Sequence, residues 1–78
     1  MNTSIVKVYN EKYGRWEKNA KVVLGWNGIV NLGSSKAVYT NANGIAEVQH
    51  SSTGQATIVV NNKTCGKMST PGSCTVTI

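Results

Sequence analysis

Apolar and polar residues alternate one by one along most of this chain, and a period of two is the signature of half-buried β-strands. "SIVKVYN" sets Val6 and Val8 on one face and Lys7 and Tyr9 on the other. "AKVVLGW" repeats the pattern, with Ala20, Val22, Leu24 and Trp26 inward and Lys21 and Val23 outward. In "QATIVVN", Ala56, Ile58 and Val60 share a face. No window carries a helical period. The even-numbered aliphatics from Val6 through Ile78 are therefore expected to meet in one dry interior.

Turn signals punctuate these runs. Gly14 sits in the polar connection "EKYGRWEKN", and Asn27-Gly28 and Gly33 flank a short strand expected over Ile29–Leu32. "KAVYT" turns through "NANG" into "IAEVQ", and "HSSTG" turns into "QATIVVN". The last hairpin is expected to run through "KTCGKMSTPGSC" to "TVTI", with Pro71 and Gly72 at the centre of a type II turn. The reading is all-β: a single small β-sandwich of about seven mostly antiparallel strands, prealbumin-like or immunoglobulin-like, over residues 1–78. A chain of 78 residues buries only about 60% of its unfolded surface, so a covalent staple would help it.

Eight Lys/Arg against three Glu, with no Asp, leave a net charge of +5. Such an excess suits anionic partners such as nucleic acid or acidic polysaccharide, and equally a merely soluble domain. "MNTSIVKVYN" lacks the apolar run that export requires, so the chain reads as cytosolic or as a mature or excised domain. No membrane span and no cofactor are expected. "NTS" at Asn2 and "NKT" at Asn62 match the glycosylation sequon by chance in an Asn- and Thr-rich chain.

The order of these pieces resembles a known family. "VKVYNEKYGRWEKNAKVVLGW", "AVYTNANGIAEV" and "GQATIVVNN" are similar to the carboxypeptidase regulatory-like and transthyretin-like (prealbumin-like) β-sandwich modules, over Ile5 to Asn62. "NAKVVL" matches their second strand, Thr40 to Ala46 their turn, and Gly54 to Val60 the strand after it. The resemblance implies a sandwich of the kind found in accessory and adhesion modules. Asn41 stands where the family carries an acidic residue, and Asn43 precedes Gly44. Asn caps a turn but supplies no anionic oxygen for Ca²⁺, so Asn41, Asn43 and Gly44 are read as a structural corner and no metal site is expected. Ala56 replaces the family's usual aromatic, with Trp16 or Trp26 as the expected filler. The terminal strand offers no Asn for the Lys–Asn crosslink of related adhesin repeats.

Cys65 and Cys74 flank "GKMSTPGS", and a hairpin there would bring them within bridging reach. A disulfide is expected, with two reduced thiols as the alternative. The bridge would place the chain in an oxidising compartment, secreted or at the cell surface, and reduced thiols in the cytoplasm. Two Cys and one distant His do not make a zinc site. Glu11, Glu17 and Glu47 show no paired spacing, and His50 beside Ser51 and Ser52 has no Asp to orient it. No catalytic residue is assigned.

The connection "KVYNEKYGRWEKNAK" interleaves Lys12, Arg15 and Lys18 with Tyr9, Tyr13 and Trp16. Tyr13 and Arg15, flanking Gly14 at a loop tip, are the foremost candidates for exposed contact. Trp16 is weighed between edge cover and contact, and Trp26 between core and contact. The function expected is a non-catalytic accessory or adhesion module that presents the Glu11–Lys18 hairpin and the Trp26–Ser35 loop to a polysaccharide, a protein or neighbouring domains. The alternatives are a small basic β-protein binding single-stranded nucleic acid, and a secreted effector or inhibitor. Oligomeric state is left open, with edge pairing one route to a dimer.

Overall fold

The computed structural model describes residues 2–26 and 33–78. Among the described residues nine strands follow in order: β1 (Asn2–Asn10), β2 (Arg15–Trp16), β3 (Lys21–Trp26), β4 (Gly33–Ser34), β5 (Val38–Tyr39), β6 (Ile45–His50), β7 (Gly54–Val60), β8 (Lys63–Thr70) and β9 (Ser73–Thr77). They form a small β-sandwich. The first sheet is built on β1, with β6 antiparallel along Asn2–Lys7, β2 antiparallel at Tyr9–Asn10, and β9 parallel along Ile5–Tyr9. The second runs β3–β7–β8, with β4 and β5 also on β3. Val22 pairs with Val60 on one side and Val38 on the other, and Gly25 with Thr57 and Ser34. Hence β4 and β5 are two pieces of one edge, opposite β7. Ser35 joins them to β3: its N–H donates to the Leu24 carbonyl (2.7 Å), and its hydroxyl accepts from the Leu24 N–H (2.9 Å).

The two-residue period places the core as the sequence predicts. Val6, Val8, Ala20, Val22, Leu24, Trp26, Ala46, Val48, Ala56, Ile58, Val60, Met68 and Val76 are all buried between the sheets. Ile78 departs from the pattern at 38% exposed, because it lies beyond β9 and only its backbone is held, between Tyr9 and Glu11. The "KAVYT" strand is shorter than expected, with only Val38 and Tyr39 paired to β3. The strand expected over Ile29–Leu32 lies outside the described residues.

The C-terminal third corrects the sequence reading. The last hairpin does not exist: β8 belongs to the second sheet and β9 to the first, so the chain crosses the sandwich between Thr70 and Ser73. The Thr70–Pro71 peptide is cis, and Gly72 is not among the residues with positive φ, so the type II turn is not formed. Glycine is needed at position 72 for space, since a Cβ there would stand 2.9 Å from the Ser69 carbonyl. The true hairpin of this region is earlier. Asn61 (φ 51°) and Asn62 (φ 69°) join β7 to β8, filling the two left-handed positions of a type I′ turn. A bulge opposite Ile58/Val59 leaves Cys65 as the extra residue of β8.

Both cysteines are free thiols, not a disulfide. The loss of the hairpin explains it. Cys74 pairs with Val6 near the start of β9, whereas Cys65 lines a depression of about 440 Å³ with Thr77 and Ile78 at the far end of β9. The two thiols thus belong to different sheets and do not face one another across a hairpin ladder. Each thiol is half-buried against the core.

A buried polar cluster ties the sheets together at one end. Ser4 is 0% exposed, and its Oγ lies 2.7 Å from His50 Nε2. His50 Nδ1 lies 2.6 Å from the Ser52 carbonyl. A carbonyl only accepts, so in the neutral imidazole the proton sits on Nδ1 and the Ser4 hydroxyl donates to Nε2. The Gly72 N–H donates to Ser4 Oγ in turn (3.3 Å). The Trp26 ring lies 4.9 Å from the imidazole. Its indole N–H donates to Thr70 Oγ1 (3.1 Å), whose hydroxyl donates to the Gly54 carbonyl (2.6 Å). No buried side-chain polar atom among the described residues lacks a partner.

Candidate functional site

The hairpin between β1 and β2 gathers the foremost sequence candidates. Asn10 is buried at its base and accepts the Tyr13 N–H on Oδ1 (3.2 Å), while its Nδ2 donates to Glu17 Oε2 (3.4 Å). One side chain thus fixes both the start of the loop and the strand that returns. Gly14 closes the loop at φ 62°, the left-handed conformation that glycine adopts without penalty.

Tyr13, at the tip, is 60% exposed. The Lys12 ammonium lies 5.6 Å from its ring centroid and the Arg15 guanidinium 5.2 Å. Both are within the range where a cation is attracted to the π face. The aromatic ring therefore collects two positive charges at one point. Among the described residues no carboxylate pairs with Lys12, Arg15 or Lys18. Glu17, the carboxylate best placed to do so, is half-buried and held by Asn10.

Trp16 follows on β2. Its ring meets Tyr9 edge to face, with centroids 5.2 Å apart and planes at 78°. It is 43% exposed, so it both covers the sheet edge and offers surface. Beside it opens a cleft of about 490 Å³ lined by Arg15, Trp16, Glu17, Lys18 and Ala42. Ala42 comes from the "NANG" turn, which thus forms one wall.

That turn is a corner, and a demanding one. Asn41 Oδ1 accepts the N–H groups of Asn43 (2.8 Å) and Ile45 (3.1 Å), and the Asn41 carbonyl accepts from Gly44 (2.9 Å). Gly44 has φ 74°, and a Cβ on it would stand 2.7 Å from the Val8 carbonyl and 2.9 Å from Trp16 Cβ. Only glycine lets the turn approach the hairpin so closely. Thr40 fixes the opposite side: its hydroxyl donates to the Glu17 carbonyl (2.6 Å) and accepts the Ala20 N–H (2.9 Å). Lys18 is carried on the short span between those two anchors.

Not every candidate joins the site. Trp26 is buried between the sheets with its indole N–H bonded to Thr70, so it is core and makes no contact surface. The Trp26–Ser35 loop lies mostly outside the described residues. Lys12, Tyr13, Arg15, Trp16 and Lys18 do come together. Sequence reasoning missed Ala42 and the Thr40 anchor, because side-chain bonds across 20 and 23 residues leave no local signal. It also missed the Ser4–His50 pair, which is sealed in the core, with the Ser4 hydroxyl spent on His50. Among the described residues no group of His, Cys, Asp and Glu has the disposition to hold a metal ion, and no helix is long and apolar enough to cross a membrane.

Comparison of the chain with family models, curated proteins and solved structures gives no match.

Proposed function

We propose that this chain is a non-catalytic binding module, an accessory or adhesion domain of the transthyretin-like kind, that presents the Glu11–Lys18 hairpin to a polysaccharide or protein partner. One observation carries the reading: Tyr13 stands exposed at the hairpin tip with Lys12 and Arg15 drawn against it and, among the described residues, no carboxylate paired with them. A cluster of that kind, on a loop clamped at its base by Asn10, is ordered before a partner arrives. Pre-ordering reduces the entropy lost on binding.

Alanine substitution of Tyr13 and Arg15, screened for binding to immobilised polysaccharides and candidate proteins, tests the proposal. Binding should fall while the melting temperature stays close to that of the parent, because both side chains are exposed. Full retention of binding by the double variant would refute it. The same uncompensated cations favour single-stranded nucleic acid as a second reading. There, affinity would drop linearly on log–log axes as salt rises.

A further inference from the structure

Resting on the hairpin reading above, we infer that the cleft beside Trp16 takes an acidic sugar, a uronate or sulfated residue of an anionic polysaccharide. The sugar ring lies on the exposed part of the indole and its anionic group between Arg15 and Lys18.

The chemistry follows from what each side chain has left to offer. Tyr13 already carries Lys12 and Arg15 over its ring, so it organises cations and is not an open platform. Trp16 is contacted by Tyr9 edge to face and keeps a free surface on the cleft. Sugars present an apolar C–H face that suits one such platform. Arg15 lines the cleft and its guanidinium makes no hydrogen bond among the described residues, and a planar fork of donors matches a carboxylate or sulfate. Lys18 also lines the cleft and adds a second positive charge, unpaired among the described residues. Glu17 also lines the cleft. Its carboxylate accepts from a sugar hydroxyl and repels an anion placed away from Arg15 and Lys18, which orients the ring. The volume, about 490 Å³, falls in the range of pockets for small ligands.

A single platform also argues against nucleic acid. Single strands are held by successive bases stacked on successive aromatic rings along a basic groove. Here one ring is open, its nearest aromatic neighbour meets it at 78°, and a carboxylate stands in the cleft.

The test uses the whole chain and four probes: polygalacturonate, heparin, a neutral soluble glucan and oligo(dT), each titrated calorimetrically at low and physiological salt. One or both acidic polysaccharides should bind, the neutral glucan should not, and binding should weaken with salt. The Arg15→Gln/Lys18→Gln variant should lose about tenfold or more in affinity, equivalent to ~1.4 kcal/mol. Trp16→Ala should lose binding and Trp16→Phe restore most of it. Lys67→Gln, at an exposed position of β8, should bind like the parent. Absence of binding to both acidic polymers overturns the inference. So does acidic-polymer binding that Arg15→Gln/Lys18→Gln leaves intact. Hairpin-dependent binding of the neutral glucan overturns the acidic sugar but leaves the binding module standing. Tighter binding of oligo(dT), insensitive to Trp16→Ala, replaces the sugar with nucleic acid. Thermal melts of each variant separate lost contacts from lost fold.

Discussion

Replacing Ser4 with alanine should cost this domain a large part of its stability, although it removes one oxygen atom. Ser4 is completely buried, and its hydroxyl is the group that satisfies His50 Nε2 at 2.7 Å. Without it the imidazole nitrogen stays in the core with no donor. The space left is smaller than a water molecule needs, so solvent does not repair the loss. An unsatisfied buried acceptor costs about 1–3 kcal/mol. The Gly72 N–H, at 3.3 Å from Ser4 Oγ, loses a longer and weaker bond. We expect about 2 kcal/mol in all, out of the ~5–15 kcal/mol typical of a domain. For a chain of this size that corresponds to a fall in melting temperature of roughly 8–16 °C. Urea denaturation followed by tryptophan fluorescence measures the free energy directly. The single variant His50→Leu removes the acceptor of the buried Ser4 hydroxyl in the same way. The double variant Ser4→Ala/His50→Leu removes both members of the pair, so it should be more stable than the sum of the single losses implies, by about 1 kcal/mol or more. A Ser4→Ala loss under about 0.5 kcal/mol, or strict additivity in the double variant, would refute the role assigned to the pair.

Two further outcomes follow from local geometry. Gly44→Ala should destabilise the fold by about 2–3 kcal/mol, combining the left-handed φ with backbone overlap, and should disturb Trp16 fluorescence, since the new methyl group meets Trp16 Cβ and the Val8 carbonyl. Denaturing thiol titration without reductant should find two reactive thiols per chain, slower to react in the native state because Cys65 and Cys74 are half-buried; a count of zero would mean the cysteines bridge after all.

What the sequence revealed was whatever a single strand records by itself. Val22, Leu24 and Trp26 declare their face by alternation, and so do Ala56, Ile58 and Val60. The "NANG" corner was legible because Asn and Gly meet a purely local demand for capping and positive φ. Sheet membership was not legible. Thr-Pro-Gly-Ser signals a reversal of direction, but a reversal within a sheet and a crossing between sheets use the same residues. The choice lies in whether β9 finds β8 or β1, a pairing decided by Val76 and Cys74 packing beside Val8 and Val6. The error carried over to the cysteines, whose expected bridge depended wholly on that hairpin. In the site, Tyr13 and Arg15 could be named from a loop tip. The cleft needed Ala42, brought in by the Thr40 and Gly44 contacts, and its shape exists only after the turn has docked.

The parallel partnership of β1 and β9 has a consequence for how the protein is made. Within this domain the first strand in sequence lies in the middle of its sheet, and one of its three partners, β9, comes last in sequence. Until Ser73–Thr77 emerges, the nascent chain carries an open ladder of amide and carbonyl groups along Ile5–Tyr9, a template that another nascent chain is able to fill. The first sheet is therefore complete only once β9 has joined β1, and the yield of correctly folded protein should depend on how densely such chains are crowded during synthesis.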